Sequence, residues 1–280
     1  MSEHFLNSLQ RILKKDCKKN KLRYTCDVAW ESTFCPLKIF KRVKRGSFIV
    51  KKKFEWKSFY LKYRHAIPII IYGIIYLTWF CHLEKTVTKQ YTVIHMALDD
   101  LIPFCEVFVI PYFLWFAYIA SVVVYFFFKD KQEYYRTCLF LATGMTIFLI
   151  VSTLWPNGHH LRPYTMPRDN IFTRLVQMLY KTDTPTNLWP SIHVYNSLGA
   201  HIAIMKSSHL KDKKWVRTGS FILCVSIILS TMFIKQHSVF DVGTAFIMAG
   251  IMYVLVYRFD LICMIKRLLH PTANRGPQVE

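Results

Sequence analysis

Apolar residues along this chain gather into long unbroken runs rather than alternating stripes. Stretches of about 17–22 residues almost free of Asp, Glu, Lys and Arg recur from Ala66 onward. About 20 such residues in a helix cross roughly 30 Å of hydrocarbon. The runs predict transmembrane helices over Ala66–Leu83, Val107–Phe128, Thr137–Trp155, Leu188–Met205, Thr218–Ile234 and Ser238–Tyr257. The sixth carries one acid, Asp241, near its start. The fourth is the most polar, with Ser191, His193, Asn196, Ser197 and His201. A lipid-facing helix does not carry such residues, so it belongs inside the bundle. The predicted fold is all-α, a polytopic membrane protein with a six-transmembrane-helix bundle. A basic region fills residues 1–65, the membrane domain 66–268 and a short tail 269–280.

Composition sharpens this picture. The chain is 53% hydrophobic with a mean hydropathy of +0.22, yet its net charge is +20. These agree only if charge and grease are segregated: the first 65 residues hold 18 Lys/Arg against five acids. That pattern excludes a soluble enzyme, disorder over most of the chain, and collagen or repeat arrays. The polar N-terminus predicts no secretory signal peptide. The eight cysteines show no zinc-like spacing and predict no disulfide framework. With the N-terminus inside, 30 Lys/Arg fall on the cytosolic side and seven outside, which orients both termini to the cytosol.

In the N-terminal region Phe5, Leu6, Leu9, Ile12 and Leu13 line one face of a short helix, with Arg11, Lys14 and Lys15 opposite. Aromatic and aliphatic residues then interleave with basic ones as far as Tyr60. An anionic lipid surface suits this pattern, each basic residue contributing about 1 kcal/mol. A single-stranded nucleic-acid arm uses the same residue types, but on a membrane protein the lipid surface is the reading adopted, with no nucleic-acid partner.

The candidate chemistry lies in three segments on the outer side. Pro156-Asn157-Gly158-His159-His160-Leu161-Arg162-Pro163 follows the third span, Trp189-Pro190-Ser191-Ile192-His193 opens the fourth, and Lys235-Gln236-His237 joins the fifth to the sixth. His237 and Asp241 stand i, i+4 on one helix face, so the carboxylate can hold one ring nitrogen and present the other as nucleophile. His193 can protonate a leaving alkoxide. Ser191 and the helix N-terminus beside it supply donors for an anion, and Arg162 supplies a planar cationic fork. Together these suit phosphoryl transfer through a phosphohistidine. His159-His160 lacks further ligands at zinc spacing. Ile171–Tyr180 predicts an interfacial helix, as a lid or as plain loop packing.

The order Arg-Pro, Pro-Ser-x-His, then Ser-x6-His-x3-Asp (Ser230, His237, Asp241) resembles the type-2 phosphatidic acid phosphatase superfamily over about residues 138–260. The resemblance implies His237 as nucleophile, His193 as acid, Asp241 as orienting group, and Arg162 and Ser191 as phosphate holders. Two positions depart from the family pattern: Trp155 stands where it has Lys, and Thr231 where it has Arg. Lys235 and Lys181 are candidate replacements. A monoester carries about −2 and a diester −1, so a pocket poorer in cations suits the diester. The inositol-phosphorylceramide and sphingomyelin synthase branch is similar in this respect.

The expected protein is therefore a multi-pass membrane enzyme, in the plasma membrane if bacterial, with its site facing outside or the lumen. It takes a phospholipid or lipid phosphate, with an alcohol acceptor lipid if it transfers a head group. Hydrolysis of a lipid phosphate or polyprenyl diphosphate is the alternative, and a non-catalytic lipid-binding relative or a transporter remain as other classes. No cofactor or metal is called for, since Arg, Ser and helix N-terminal amides provide the charge stabilisation.

Overall fold

The computed structural model describes residues 56–264 apart from Lys89 and Cys263. The surface-binding expectation for the residues before Trp56, and the tail 269–280, lie outside the described residues. The elements are α1 (Trp56–Tyr63), a 3-10 turn (Arg64–Ala66), α2 (Ile67–Thr86), β1 (Thr92–Val93), α3 (Ala97–Leu101) and a 3-10 turn (Glu106–Phe108). Then come α4 (Val109–Lys129), α5 (Lys131–Leu154), β2 (Asn157–Gly158), α6 (Ile171–Thr182), α7 (Ile192–Lys206), α8 (Lys214–Phe233) and α9 (Val239–Tyr253), which ends in a π turn (Val254–Arg258).

The fold is mostly helical. Five helical stretches among the described residues are long and apolar enough to cross a membrane: Trp56–Thr86, Glu106–Lys129, Lys131–Leu154, Lys214–Phe233 and Val239–Arg258. Their outward faces are apolar, with Ile70 and Ile74 on α2, Phe116 on α4, Ile222 on α8, and Ile247 and Ile251 on α9 all exposed. Exposing such side chains to water costs about 25 cal/mol per Å², and in hydrocarbon it costs nothing. The chain is an integral membrane protein on this ground.

Three helices begin four or more residues from their hydropathy-based starts, among them α8 at Lys214 rather than Thr218. α5 starts at Lys131, earlier than Thr137, because the Asp130 carboxylate caps the backbone N–H groups of Gln132 and Glu133. Its polar first turns are used in packing: Glu133 accepts from Ser207 and Ser208, and Arg136 pairs with Asp260 at 2.7 Å. α7 is the reverse case. It spans only 15 residues, since Leu188–Pro190 is non-helical and Ser191 is the N-cap. The paired two-residue strands β1 and β2 run parallel and arise purely from tertiary pairing, which no local pattern announces.

α7 sits at the centre, packed against α4, α5, α8 and α9, with eight of its residues buried. Its polarity thus faces protein, as the sequence implied. Tyr195 fixes it to α5: the ring stacks on Phe140 at 4.9 Å and the hydroxyl donates to the Phe140 carbonyl at 2.8 Å. Gly144 and Gly199 let the helices close on these rings. A Cβ on Gly144 would lie 2.0 Å from Tyr195, and one on Gly199 2.6 Å from Phe140.

The connecting segments meet at one end of the bundle. Glu84 on α2 accepts from Thr184 and Asn187, and Asn157 Oδ1 accepts from the N–H groups of Leu188 and Trp189. α6 packs Val176 and Leu179 against Val109, Tyr112 and Ile234, while Ile171 points outward.

Candidate active site

α8 ends in a tight reversal that aims the next helix. The Thr231 carbonyl accepts from both Gln236 N–H and His237 N–H, at 2.9 and 3.0 Å. Lys235 takes a left-handed backbone, φ 53°, to make the turn. α9 then starts at Ser238, whose side chain accepts from Phe240 N–H. Asp99 on α3 completes this cap from 139 residues away: its carboxylate accepts from the Ser238 hydroxyl at 2.6 Å and from Val239 N–H at 2.7 Å.

The reversal brings three sequence-predicted residues together. His237 Nδ1 lies 3.4 Å from Asp241 Oδ2, and His237 Nε2 lies 3.3 Å from His193 Nδ1. Asp241 Oδ2 also accepts from Ser238 N–H at 3.0 Å, which fixes the carboxylate. An ionised carboxylate only accepts, so His237 carries its proton on Nδ1 and keeps a lone pair on Nε2. His193 therefore donates from Nδ1. Its ring lies between aromatic faces, 4.6 Å from Tyr112 and 4.5 Å from Trp115.

Arg162 joins this group through other residues. One Nη donates to the Tyr180 carbonyl at 3.3 Å, the other to Gln236 Oε1, and the guanidinium stacks on the Tyr180 ring at 4.4 Å. Its Nε is buried without a partner. Ser191 is fully buried, and its Oγ accepts from Val194 N–H at 3.4 Å, satisfying one orphan donor of the helix start. The candidate replacement cations stand elsewhere. Lys235 donates from Nζ to the carbonyls of Asp99 and Ile102, so it ties α3 to the turn. Lys181 is exposed on the rim of a cleft of about 730 Å³ lined also by Tyr164, Arg168, Gln177 and Tyr180. Tyr180 lines that cleft and carries Arg162 on its ring.

The two departures from the family pattern are occupied by neutral side chains in packing roles. Trp155 Nε1 donates to Thr92 at 2.8 Å and its ring meets Trp189 edge-on at 5.2 Å. Thr231 Oγ1 donates to the Ile228 carbonyl at 2.7 Å.

Several residues of the site escaped sequence reasoning. Asp183, just past α6, accepts on Oδ2 from Tyr112 OH and from Gln236 Nε2, each at 3.0 Å. Gln236 thereby stands between Arg162 and Asp183, accepting from one and donating to the other. Burial pushes the Asp183 carboxyl up and Arg162 pulls it back; burial likewise lowers Arg162, which Asp183 opposes. His159 receives Leu161 N–H on Nδ1 and donates from Nε2 to the Gln236 carbonyl at 3.0 Å. Burial holds it down to about 3, with Arg162 and His237 adding to the effect, so it is a neutral brace for the turn. Both its nitrogens are committed to backbone, which leaves it no lone pair for a metal. The available signal was thin: Asp183 and Gln236 were polar residues in short connections, without partners at helical spacing.

No protein-family model, curated protein or solved structure matches this chain. The functional reading rests on the residues themselves.

Proposed function

We propose that this protein is a membrane phosphoryl-transfer enzyme of the type-2 phosphatidic acid phosphatase kind, cleaving a lipid phosphoester through a phosphohistidine. The observation that carries the reading is the relay His193–His237–Asp241, at 3.3 and 3.4 Å, buried at the start of two packed helices. His237 Nε2 attacks phosphorus, the bond to the lipid oxygen breaks, and His193 Nδ1–H passes its proton to that oxygen. Asp241 holds the Nδ1 proton and stabilises the charge developing on the ring. In the second half, an acceptor hydroxyl gives its proton to His193 and its oxygen takes the phosphoryl group, freeing His237. The phosphorus must lie where His193 Nδ1 now meets His237 Nε2, so substrate parts the two rings. Arg162 and the first N–H groups of α7 face the phosphate oxygens.

Head-group transfer from a phosphodiester lipid to an alcohol is the favoured form. Supporting it is the scarcity of cations: Lys235 is committed to carbonyls and Lys181 is on the cleft rim, which leaves Arg162. In this reading α7, with Leu188–Ser191, is a sixth crossing, both termini are cytosolic, and the histidines open to the outside or lumen, as the charge bias implies.

The test is turnover of phospholipid by purified protein, followed by mass spectrometry of the lipids. His237→Ala is expected to fall to background and Asp241→Asn by orders of magnitude, both with unchanged thermal melting. Near-normal turnover in folded His237→Ala rejects the mechanism.

A further inference from the structure

Asp183 is a carboxylate beside the relay that the relay does not use. It hangs in the site between three groups of it. Tyr112, whose ring lies 4.6 Å from that of His193, donates to it, and Gln236 links it to Arg162. Both donors converge on one oxygen, Oδ2, an arrangement that suits the ionised, acceptor-only form. Arg162 and His237 both lie within its electrostatic reach. Yet Arg162 and Asp183 form no direct ion pair, because the Gln236 amide is inserted between them. The guanidinium is held by the Tyr180 carbonyl and Gln236 Oε1, with the Asp183 carboxylate on the far side of the Gln236 amide.

The consequence is electrostatic. Arg162 brings one positive charge to the site, and Asp183 and Asp241 each bring one negative charge. When both carboxyls are ionised these three charges sum to −1, so a dianionic phosphate entering here is opposed about twice as strongly as a monoanionic diester. A missing cation, as at Trp155 and Thr231, and an added carboxylate both lower the potential at the phosphate, and each penalises the dianion more than the monoanion.

We infer that Asp183 is a specificity-determining residue that makes the site prefer a monoanionic phosphodiester lipid over a dianionic phosphomonoester. The inference rests on the phosphoryl-transfer reading above and names the substrate class for that same site. Asp183 touches neither the nucleophile nor the general acid; it acts through Gln236, Arg162 and Tyr112.

The experiment compares two substrates that share one leaving group. Phosphatidic acid and phosphatidylglycerol both release diacylglycerol when the lipid oxygen–phosphorus bond breaks, and they differ in the charge on phosphorus. With both in identical detergent micelles and a diacylglycerol-like alcohol as acceptor, kcat/KM is read as diacylglycerol released. Wild type is expected to favour phosphatidylglycerol. Asp183→Asn keeps the shape and one acceptor oxygen, and is expected to shift the ratio towards phosphatidic acid by at least tenfold, or 1.4 kcal/mol. Asp183→Glu retains the charge and is expected to retain the wild-type preference, which a merely structural role would not predict. An equal loss on both substrates in folded Asp183→Asn overturns the assignment, as does an unchanged ratio. If the Asn variant does not fold, a wild type that prefers phosphatidic acid overturns it alone. Release from neither substrate by wild type sinks the phosphoryl-transfer reading itself, a result distinct from an unshifted ratio.

Discussion

Gly144→Ala is a sharp probe of how packing holds the geometry of the His193–His237 pair. The new methyl carbon would lie 2.0, 2.3 and 2.5 Å from three atoms of the Tyr195 ring. The ring cannot slide away freely, since its other neighbour is Phe140, stacked at 4.9 Å, and Tyr195 is fully buried. Either α7 moves off α5 or the ring swings out and loses its 2.8 Å hydrogen bond to the Phe140 carbonyl. Overpacking costs about 1–3 kcal/mol and a lost hydrogen bond about 0.5–1.5, so the change should destabilise by about 2–4 kcal/mol. For a chain of this size that corresponds to a drop of roughly 5–15 °C in Tm. His193 stands two residues before Tyr195 on the same helix, so a shift of about 1 Å also disturbs its contact with His237 and can reduce turnover on the order of 100-fold. The assay is thermal unfolding in detergent beside lipid turnover. Gly73→Ala is the control, because a Cβ there meets nothing within 4 Å. Combining Gly144→Ala with Tyr195→Leu should recover part of the loss, a non-additive cycle. An unchanged Tm for Gly144→Ala refutes this account of the helix contact.

Further outcomes concern pH and topology. His159 is held at about 3 in the folded chain against 6.5 when exposed. The unfolded state therefore takes up a proton that the folded state refuses: its contribution is complete above pH 6.5 and is lost as pH falls, at about 1.4 kcal/mol per unit. His159→Gln should flatten the decline of Tm between pH 6.5 and 4.5, and equal slopes would contradict the brace role. Topology is checked by labelling. Asn157 is buried, so a cysteine is better placed at Tyr164, which is fully exposed. In a Cys81→Ser background, Tyr164→Cys should react with an impermeant thiol reagent from outside and Ser208→Cys only after permeabilisation; the reverse pattern inverts the orientation.

The helices were legible in the sequence because lipid imposes one simple demand, an apolar surface over the thickness of the bilayer. That demand marks α2, α4 and the start of α9 to within three residues. It misplaces α5 because its first turns, Lys131–Arg136, face partners such as Ser207 and Asp260 rather than lipid. The pair His237 and Asp241 was legible because both lie on one helix turn, and helical spacing is a local rule. His193 could be matched to them only by topology, from two helices starting at the same end.

What stayed hidden depends on contacts between distant segments. The Asp183–Gln236 bond joins residues 53 apart, Tyr112–Asp183 joins residues 71 apart, and Asp99 reaches Ser238 across 139. No periodicity links such positions, so each read as an ordinary polar residue in a connection. The same limit explains the lysines. Lys235 stands two residues before His237 and looked available to a phosphate, but a left-handed turn directs its ammonium to the carbonyls of Asp99 and Ile102. Its charge stabilises the end of α3, whose Asp99 caps α9, whose first turns carry Asp241. The lysine therefore acts on His237 by holding the helix that orients it. A cation near a site is part of its binding charge only where its hydrogen bonds leave it free to meet the substrate; both Nη groups of Arg162 are likewise engaged, by the Tyr180 carbonyl and Gln236 Oε1, so a phosphate must draw it from these partners.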